Sequence, residues 1–209
     1  MIGPGTVLRL IPPLGDDDRW TVVDVIDPAP VRLSQRDPRW AGKKLGFTNG
    51  GETIGSHGCL ITSMAKMLGR ADVGAFNDEL TSRHMFVAGT GLVFLDLAAF
   101  GFKLTQTSPL FDKVEMPIEW MGRLGAHLKA GKPAIIGVDF QPWPSNAQYD
   151  EHYVLATGID DKGQIQIADP WPTPDETAPV TLTPRYGKTN GIAVCRVMLY
   201  EPTSGGKPQ

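Results

Sequence analysis

Residues 53–68 read Thr-Ile-Gly-Ser-His-Gly-Cys-Leu-Ile-Thr-Ser-Met-Ala-Lys-Met-Leu. Its first half is a glycine-rich loop. Its second half repeats apolar residues at helical spacing from Leu60 to Leu68, and Gly69 follows as a stop signal. The pattern predicts a buried central helix that begins at Cys59.

A cysteine at the start of a helix has a setting typical of a nucleophile. The free N–H groups and the macrodipole favour a thiolate, so we expect a lowered pKa for Cys59. The same N–H groups can stabilise an oxyanion, whereas the alternative is a small buried core residue. Cys195 lies in an apolar segment that predicts a strand, which favours packing. Two cysteines make no disulfide framework, so both are expected to be free thiols.

An imidazole and a carboxylate follow the thiol in chain order. His152 begins the apolar segment His-Tyr-Val-Leu-Ala, and Asp169 ends the segment Ile-Gln-Ile-Ala-Asp. A base at the head of a strand suits His152, although a histidine satisfied by a neighbour fits the same pattern. Asp169 precedes Pro170, which is also a common way to open a turn. The residues alone therefore leave the role of Asp169 open.

Composition excludes several classes of protein. The 209 residues are 41% hydrophobic and 21% charged, which suits one medium domain. A net charge of −3 and a pI near 5.8 argue against a nucleic-acid partner. No apolar run is long enough for membrane insertion, and no signal peptide is visible. We expect the protein to be cytoplasmic as synthesised, and release by a phage or by a secretion route that needs no signal peptide stays open.

The chain divides into an extension, a main domain and a tail. Residues 1–30 predict an N-terminal β-hairpin, residues 31–201 the main domain, and residues 202–209 a flexible C-terminal tail. Further helices are predicted at residues 76–85, 92–100 and 118–130, and strands at residues 134–138, 153–157, 164–168 and 192–200. Helices followed by strands indicate an α+β domain in which the central helix packs on an antiparallel sheet.

Two loops are candidates for the walls of a cleft. Residues 141–150 come just before His152, and residues 171–185 come just after Asp169. Their tryptophans, Trp143 and Trp171, are candidate substrate-binding residues, as is Gly58 beside the thiol. Tryptophans that only anchor a loop would give the same pattern.

The chain from about Leu33 to Leu199 resembles the C39-like branch of the papain-like cysteine peptidases. The resemblance rests on five motifs in the family's order: Ser-Gln-Arg-Asp-Pro-Arg-Trp at residues 34–40, Thr-Ile-Gly…Gly-Cys at 53–59, Gly-Lys-Pro at 131–133, His-Tyr-Val…Gly at 152–158, and Asp-Pro at 169–170. It implies a papain-like fold with Cys59 as the nucleophile and His152 as the general base. Asp169 would orient the imidazole, and Gln35 takes the position of the oxyanion-hole glutamine.

The resemblance implies a cysteine peptidase or amidase that cleaves a peptide or isopeptide bond through a thiolate–imidazolium pair. Its substrate would be a peptide, a protein or a peptidoglycan stem, so a peptidoglycan endopeptidase is one form of this hypothesis. This chemistry needs no metal and no organic cofactor, and the zinc-ligand spacings that would support a site at His57 and Cys59 are lacking. The alternatives are a non-catalytic peptide-binding or structural module and an acyltransferase that uses the same residues.

Overall fold

A computed structural model gives the architecture of the chain. The residues it describes are 7–11, 21–26, 33–47, 50–86, 96–140, 151–172 and 180–203. They divide into two compact units, Met1–Arg32 and Leu33–Gln209. In the first unit, β1 (Val7–Ile11) pairs antiparallel with β2 (Thr21–Ile26). The predicted N-terminal strands are therefore present, and their sheet has two strands.

The second unit combines short helices with a six-stranded antiparallel sheet. Its helices are α1 (Ile54–His57), α2 (Cys59–Met67), α3 (Val73–Ser82), α4 (Ile118–Lys129), α5 (Leu182–Arg185) and α6 (Asn190–Ala193). Its strands are β3 (Phe102–Thr107), β4 (Ala134–Asp139), β5 (Glu151–Ile159), β6 (Ile165–Ala168), β7 (Val180–Thr181) and β8 (Arg196–Pro202). The six strands run in the order β3-β8-β4-β5-β6-β7, and every neighbouring pair is antiparallel. This arrangement confirms the predicted α+β class.

The sheet separates two apolar cores because alternate residues of a strand point to opposite faces. On one face, Ile135 and Leu155 pack with the buried side of α2, including Met64. On the other face, Ile136 packs with Leu124 and its neighbours on α4. The helix that carries Cys59 is thus held against the middle of the sheet, where it contacts β5 and β4.

Most predicted elements occupy the expected places, but several differ. The predicted loops at residues 53–58 and 171–185 contain α1, β7 and α5, and the helix predicted for residues 76–85 spans residues 73–82. β3 was not predicted, although Phe102 and Leu104 alternate with polar residues. Residues 98–100 form a 3-10 turn at the end of the helix predicted for 92–100, whose residues 92–95 lie outside the described ranges. The strand predicted from residue 192 begins only at Arg196, because the Thr189 side chain caps α6 by accepting the Ile192 N–H. Cys195 therefore precedes the strand instead of lying within it.

The end of the main domain extends into the segment predicted as a tail. Pro202 belongs to β8, where it pairs with Phe102. The Thr203 N–H donates to the Gly101 carbonyl at 2.9 Å. These two residues therefore belong to the folded unit, and residues 204–209 lie outside the described ranges.

Within the described ranges, no helix has both the length and the hydropathy of a membrane span; the longest, α4, has 12 residues.

Candidate active site

The thiol-bearing helix is preceded by a short capped helix. Thr53 caps α1 by accepting the Ser56 N–H, and the Ser56 hydroxyl accepts the Thr53 N–H at 2.9 Å. Gly58 joins α1 to α2: its N–H donates to the Ile54 carbonyl, and its own carbonyl accepts the Thr62 N–H. The segment before the thiol, predicted as a glycine-rich loop, is therefore a short helix. Cys59 is the first residue of α2, as predicted.

Gly58 is required by close packing at this junction. A Cβ at this position would lie 2.4 Å from the Ile54 carbonyl oxygen and 2.8 Å from Ile54 Cγ2. Gly58 is buried, and its φ of −84° is one that any residue adopts. The structure thus gives Gly58 a packing role; a contact with substrate, which the sequence predicted, stays a prediction.

Gln35 is held against both sides of the site. It is 1% exposed, and its backbone N–H donates to the Pro170 carbonyl at 2.8 Å. Its side-chain Nε2 donates to the Gly55 carbonyl at 3.1 Å. Gly55 belongs to α1, four residues before Cys59, so this contact ties Gln35 to the segment that leads into the thiol. The Nε2 of Gln35 has two protons, of which this contact uses one, and its buried Oε1 has no hydrogen-bond partner among the described residues.

His152 and Asp169 form a buried pair. Each side chain is 1% exposed, and His152 Nε2 lies 3.0 Å from Asp169 Oδ1. His152 follows Glu151 at the start of β5, and Asp169 follows the last residue of β6, the strand that pairs with β5. Because Asp169 engages Nε2, Nδ1 is the ring nitrogen that remains to exchange a proton with a thiol. The structure thus brings together two of the predicted site residues.

Asp169 is surrounded by donors. Its Oδ1 also accepts the Trp171 N–H at 2.8 Å, and its Oδ2 accepts the Tyr186 hydroxyl at 2.5 Å and lies 2.7 Å from Arg185 Nε. Burial alone would raise the pKa of Asp169, but the hydrogen bond and charge of His152, with the bonds from Tyr186 and Trp171, hold it at about 2. Asp169 is therefore ionised throughout the physiological range.

Aromatic rings enclose the imidazole. Phe140 stacks on the His152 ring with centroids 4.2 Å apart, and Trp171 meets that ring edge-on at 6.3 Å. Trp171 is partly buried, so it both shields the imidazole and offers a surface to solvent. Trp143, the other predicted tryptophan, lies outside the described residues.

The thiol lies beside β5. Ser63, one turn after Cys59, donates its hydroxyl to the Tyr153 carbonyl at 3.1 Å, which fixes α2 against the residue that follows His152. A backbone hydrogen bond from Tyr153 also reaches the Cys59 sulfur. No hydrogen bond joins the side chains of Cys59 and His152, both of which the structure describes.

The protonation of Cys59 differs from the prediction. Burial raises its pKa to about 11, and the backbone hydrogen bonds from Tyr153 and Leu60 lower it only in part. The thiol is therefore protonated at neutral pH, and the predicted lowering of its pKa is wrong for this structure. The low-dielectric surroundings of the first helical turn outweigh its N–H groups.

Several residues of the site were missed by sequence reasoning. Tyr186 and Arg185 come from a proline-rich segment and reach Asp169 only through the tertiary fold. Lys66, on α2, donates to the Asp169 backbone carbonyl at 2.7 Å, and burial lowers its pKa to about 8. Phe140 follows the last residue of β4 and was not singled out from the sequence. No spacing in the sequence links these residues to the site.

No cluster of three His, Cys, Asp or Glu side chains in the described ranges has the arrangement of a metal site. Both cysteines are free thiols; Cys195 is buried and Cys59 is partly exposed.

Comparison with known proteins agrees with this arrangement. The model of the Peptidase_C39 like family matches residues 34–192, a range that contains Gln35, Cys59, His152 and Asp169. No curated protein and no solved structure matches the chain. The family match spans well over half of the 209 residues, and the α+β fold is that of a papain-like peptidase. The chain therefore belongs to the Peptidase_C39 like family.

Proposed function

We propose that the protein is a cysteine peptidase or amidase that hydrolyses a peptide or isopeptide bond. Cys59 is the nucleophile, His152 the general base and acid, Asp169 the residue that orients the imidazole, and Gln35 an oxyanion donor. The single observation that carries this proposal is the buried His152–Asp169 pair, with Nε2 and Oδ1 3.0 Å apart, beside the helix that begins with the thiol.

The reaction begins with proton transfer. Because the resting thiol is neutral, His152 Nδ1 removes the Cys59 proton as the sulfur attacks the carbonyl carbon, and a C–S bond forms. The carbonyl oxygen becomes an oxyanion, which accepts hydrogen bonds from the second Gln35 Nε2 proton and the Cys59 N–H. The ionised Asp169 stabilises the imidazolium that forms.

The second half regenerates the enzyme. His152 gives its proton to the leaving nitrogen, the C–N bond breaks, and a thioester remains on Cys59. Water then attacks the thioester carbon while His152 takes a proton from it. The C–S bond breaks, the acid product leaves, and the proton returns to the sulfur. These residues supply every proton that the two steps require.

The substrate is proposed at two levels. The coarser level is a peptide, a protein or a peptidoglycan stem, which follows from the amide chemistry. Peptide cross-links of bacterial cell walls and a protein processed inside the cell are the two classes to test first. A non-catalytic binding module has no chemical need for a buried acid that is paired with an imidazole, so it takes second place.

A panel of peptides and purified peptidoglycan tests the proposal. Mass spectrometry should find a new amine end and a new carboxyl end, and Cys59→Ser should abolish both, by roughly 10⁴-fold or more. Cys195→Ser is the matched control because it replaces the other free thiol, and it should retain activity. Gln35→Ala should reduce kcat by about 10²–10³-fold.

Two results would contradict the proposal. If the wild-type chain binds peptides without cleaving any, the module alternative replaces the peptidase. If added amines capture most of the acyl group in place of water, the protein is an acyltransferase.

A further inference from the structure

We infer that Arg36 and Trp171 form a subsite for a carboxylate on the leaving half of the substrate. The inference rests on the proposed function, because that function defines which half leaves. It names a property of the substrate that the family match does not give: a negative charge close to the new amine end. The ligand is a side-chain or C-terminal carboxylate just after the scissile bond.

The backbone fixes Arg36 next to the site. The preceding residue, Gln35, is bonded to the Pro170 carbonyl at 2.8 Å, and the Arg36 N–H donates to the Ser34 hydroxyl at 3.0 Å. The Arg36 guanidinium lies over the Trp171 ring, 5.1 Å from its centroid. Trp171 in turn meets the His152 ring edge-on. The Trp171 ring therefore contacts both the Arg36 cation and the His152 imidazole.

The orientation of the substrate in the proposed reaction determines which half of it reaches Arg36. The scissile oxygen must point to Gln35 and the scissile nitrogen to His152, because these residues serve the oxyanion and the leaving amine. The Pro170–Trp171 segment joins these two groups, since Pro170 is bonded to Gln35 and Trp171 borders His152. The leaving half of the substrate therefore passes over Trp171 and meets Arg36.

Arg36 also differs from the other arginines that the structure describes in the second unit. Five of them form ion pairs with acidic side chains: Arg39, Arg70, Arg83, Arg123 and Arg185. Arg196 donates to the Tyr153 hydroxyl. Arg36 is exposed and forms no ion pair with any described residue. No described carboxylate engages its planar donors, and a guanidinium binds a carboxylate in bidentate fashion.

Binding of leaving-half products tests the subsite without any turnover. The first pair of probes is alanyl-alanine and its amide, which differ in the C-terminal charge. The second pair is glutamyl-alanine amide and glutaminyl-alanine amide, which differ in the side-chain charge. Dissociation constants are read from the NMR signal of the Trp171 indole N–H, assigned with Trp171→Phe.

We expect the acid of at least one pair to bind about tenfold more tightly than its neutral partner, and that pair identifies the source of the carboxylate. Arg36→Ala should reduce the preference to about one, and Arg36→Lys should restore part of it. Arg39→Ala is the matched control, because Arg39 is also exposed and stacks on a tryptophan, Trp40, but is paired with Asp37. It should keep the full preference.

Equal binding of acids and amides would overturn the inference, as would a preference that survives Arg36→Ala or the absence of any binding. Failure of the peptidase proposal appears differently, as a lack of cleavage in the peptide panel. The two failures are therefore distinguishable.

Discussion

Asp169 shows how much of the site depends on one residue. Its carboxylate accepts hydrogen bonds from His152, Trp171 and Tyr186 and forms an ion pair with Arg185. A buried charge is stable only when such partners replace the water it has lost. These contacts hold the carboxylate in one position, and the carboxylate in turn holds one tautomer of His152.

The lowered pKa of Asp169 predicts sensitivity to acid. A carboxyl with a pKa of about 2 in the folded chain and about 4 in the unfolded chain stabilises the fold above pH 4, and that contribution is lost as the pH falls toward 2. Between pH 5 and pH 3 this residue should cost the wild type about 1 kcal/mol of unfolding free energy. Urea titrations at the two pH values measure the loss.

In Asp169→Asn, the part of the loss of unfolding free energy between pH 5 and pH 3 that comes from Asp169 should be absent. In Tyr186→Phe this loss should be smaller, because one hydrogen bond to the ionised carboxylate is gone. An acid loss of equal size in all three chains would show that other carboxyls are responsible.

The thiol gives a second prediction at the residue scale. Because burial raises the pKa of Cys59 to about 11, its alkylation by iodoacetamide should keep accelerating above pH 9. The measurement uses Cys195→Ser so that one thiol remains. A rate that levels off below pH 8 in that chain, and no longer does so when His152→Ala is added, would demonstrate the thiolate–imidazolium pair that the sequence predicted.

Sequence reasoning located part of the site at this scale. Cys59 was visible from the glycines before a helical pattern, and His152 from its place at the head of an apolar strand. Asp169 and Gln35 depended on the family resemblance. Tyr186, Arg185 and Lys66 were not predictable, because their contacts with Asp169 join distant segments and leave no periodic pattern.

At the scale of the element, the junction between α1 and α2 determines where the thiol points. Gly58→Ala should destabilise the fold by about 1–3 kcal/mol, because the new Cβ would overlap the Ile54 carbonyl. It should also lower kcat, since α2 can accommodate the methyl group only by shifting Cys59. Chemical denaturation and steady-state kinetics measure the two effects.

A glycine on α4 provides the control. Nothing lies within 4 Å of a Cβ built on Gly122, which is exposed in the middle of that helix. Gly122→Ala should therefore stabilise the protein by about 0.5–1 kcal/mol and leave activity unchanged. If Gly58→Ala behaved in the same way, close packing at the junction would not be the reason for that glycine.

Elements whose apolar residues recur at a regular spacing were predicted well, whereas elements that depend on local caps or tertiary contacts were not. The spacing of apolar residues gave α2 and α4 nearly to the residue. β3 is largely exposed and has few apolar residues, so its alternation was too weak to stand out. The segment before β8 was read as strand because a local cap, and not hydrophobicity, makes it helical.

At the scale of the whole molecule, all proposed site residues that the structure describes lie in the second unit, Leu33–Gln209. A chain of residues 33–209 should therefore unfold cooperatively, with a midpoint within a few degrees of that of the full chain. Differential scanning calorimetry measures both. A chain that ends at residue 195 is the contrast, because it lacks β8 and should show no cooperative transition. Loss of that transition in the 33–209 chain would mean that residues 1–32 belong to the folding unit.

The α+β class was predictable because helices and strands differ in period, whereas the strand order was not. β8 lies between β3 and β4, although it follows both by many residues. Nothing local in Arg196–Pro202 specifies these two partners. Pairings of this kind depend on how the whole set of apolar faces can be buried at once.

That strand order has a consequence for biosynthesis. The sheet cannot close until β8 has left the ribosome, because β8 alone joins β3 to β4. The same strand contributes Met198 and Tyr200 to one apolar core and Val197 and Leu199 to the other, so both cores stay incomplete until it is made. Cys59, His152 and Asp169 are therefore all synthesised before the two cores that hold their elements in place can be completed.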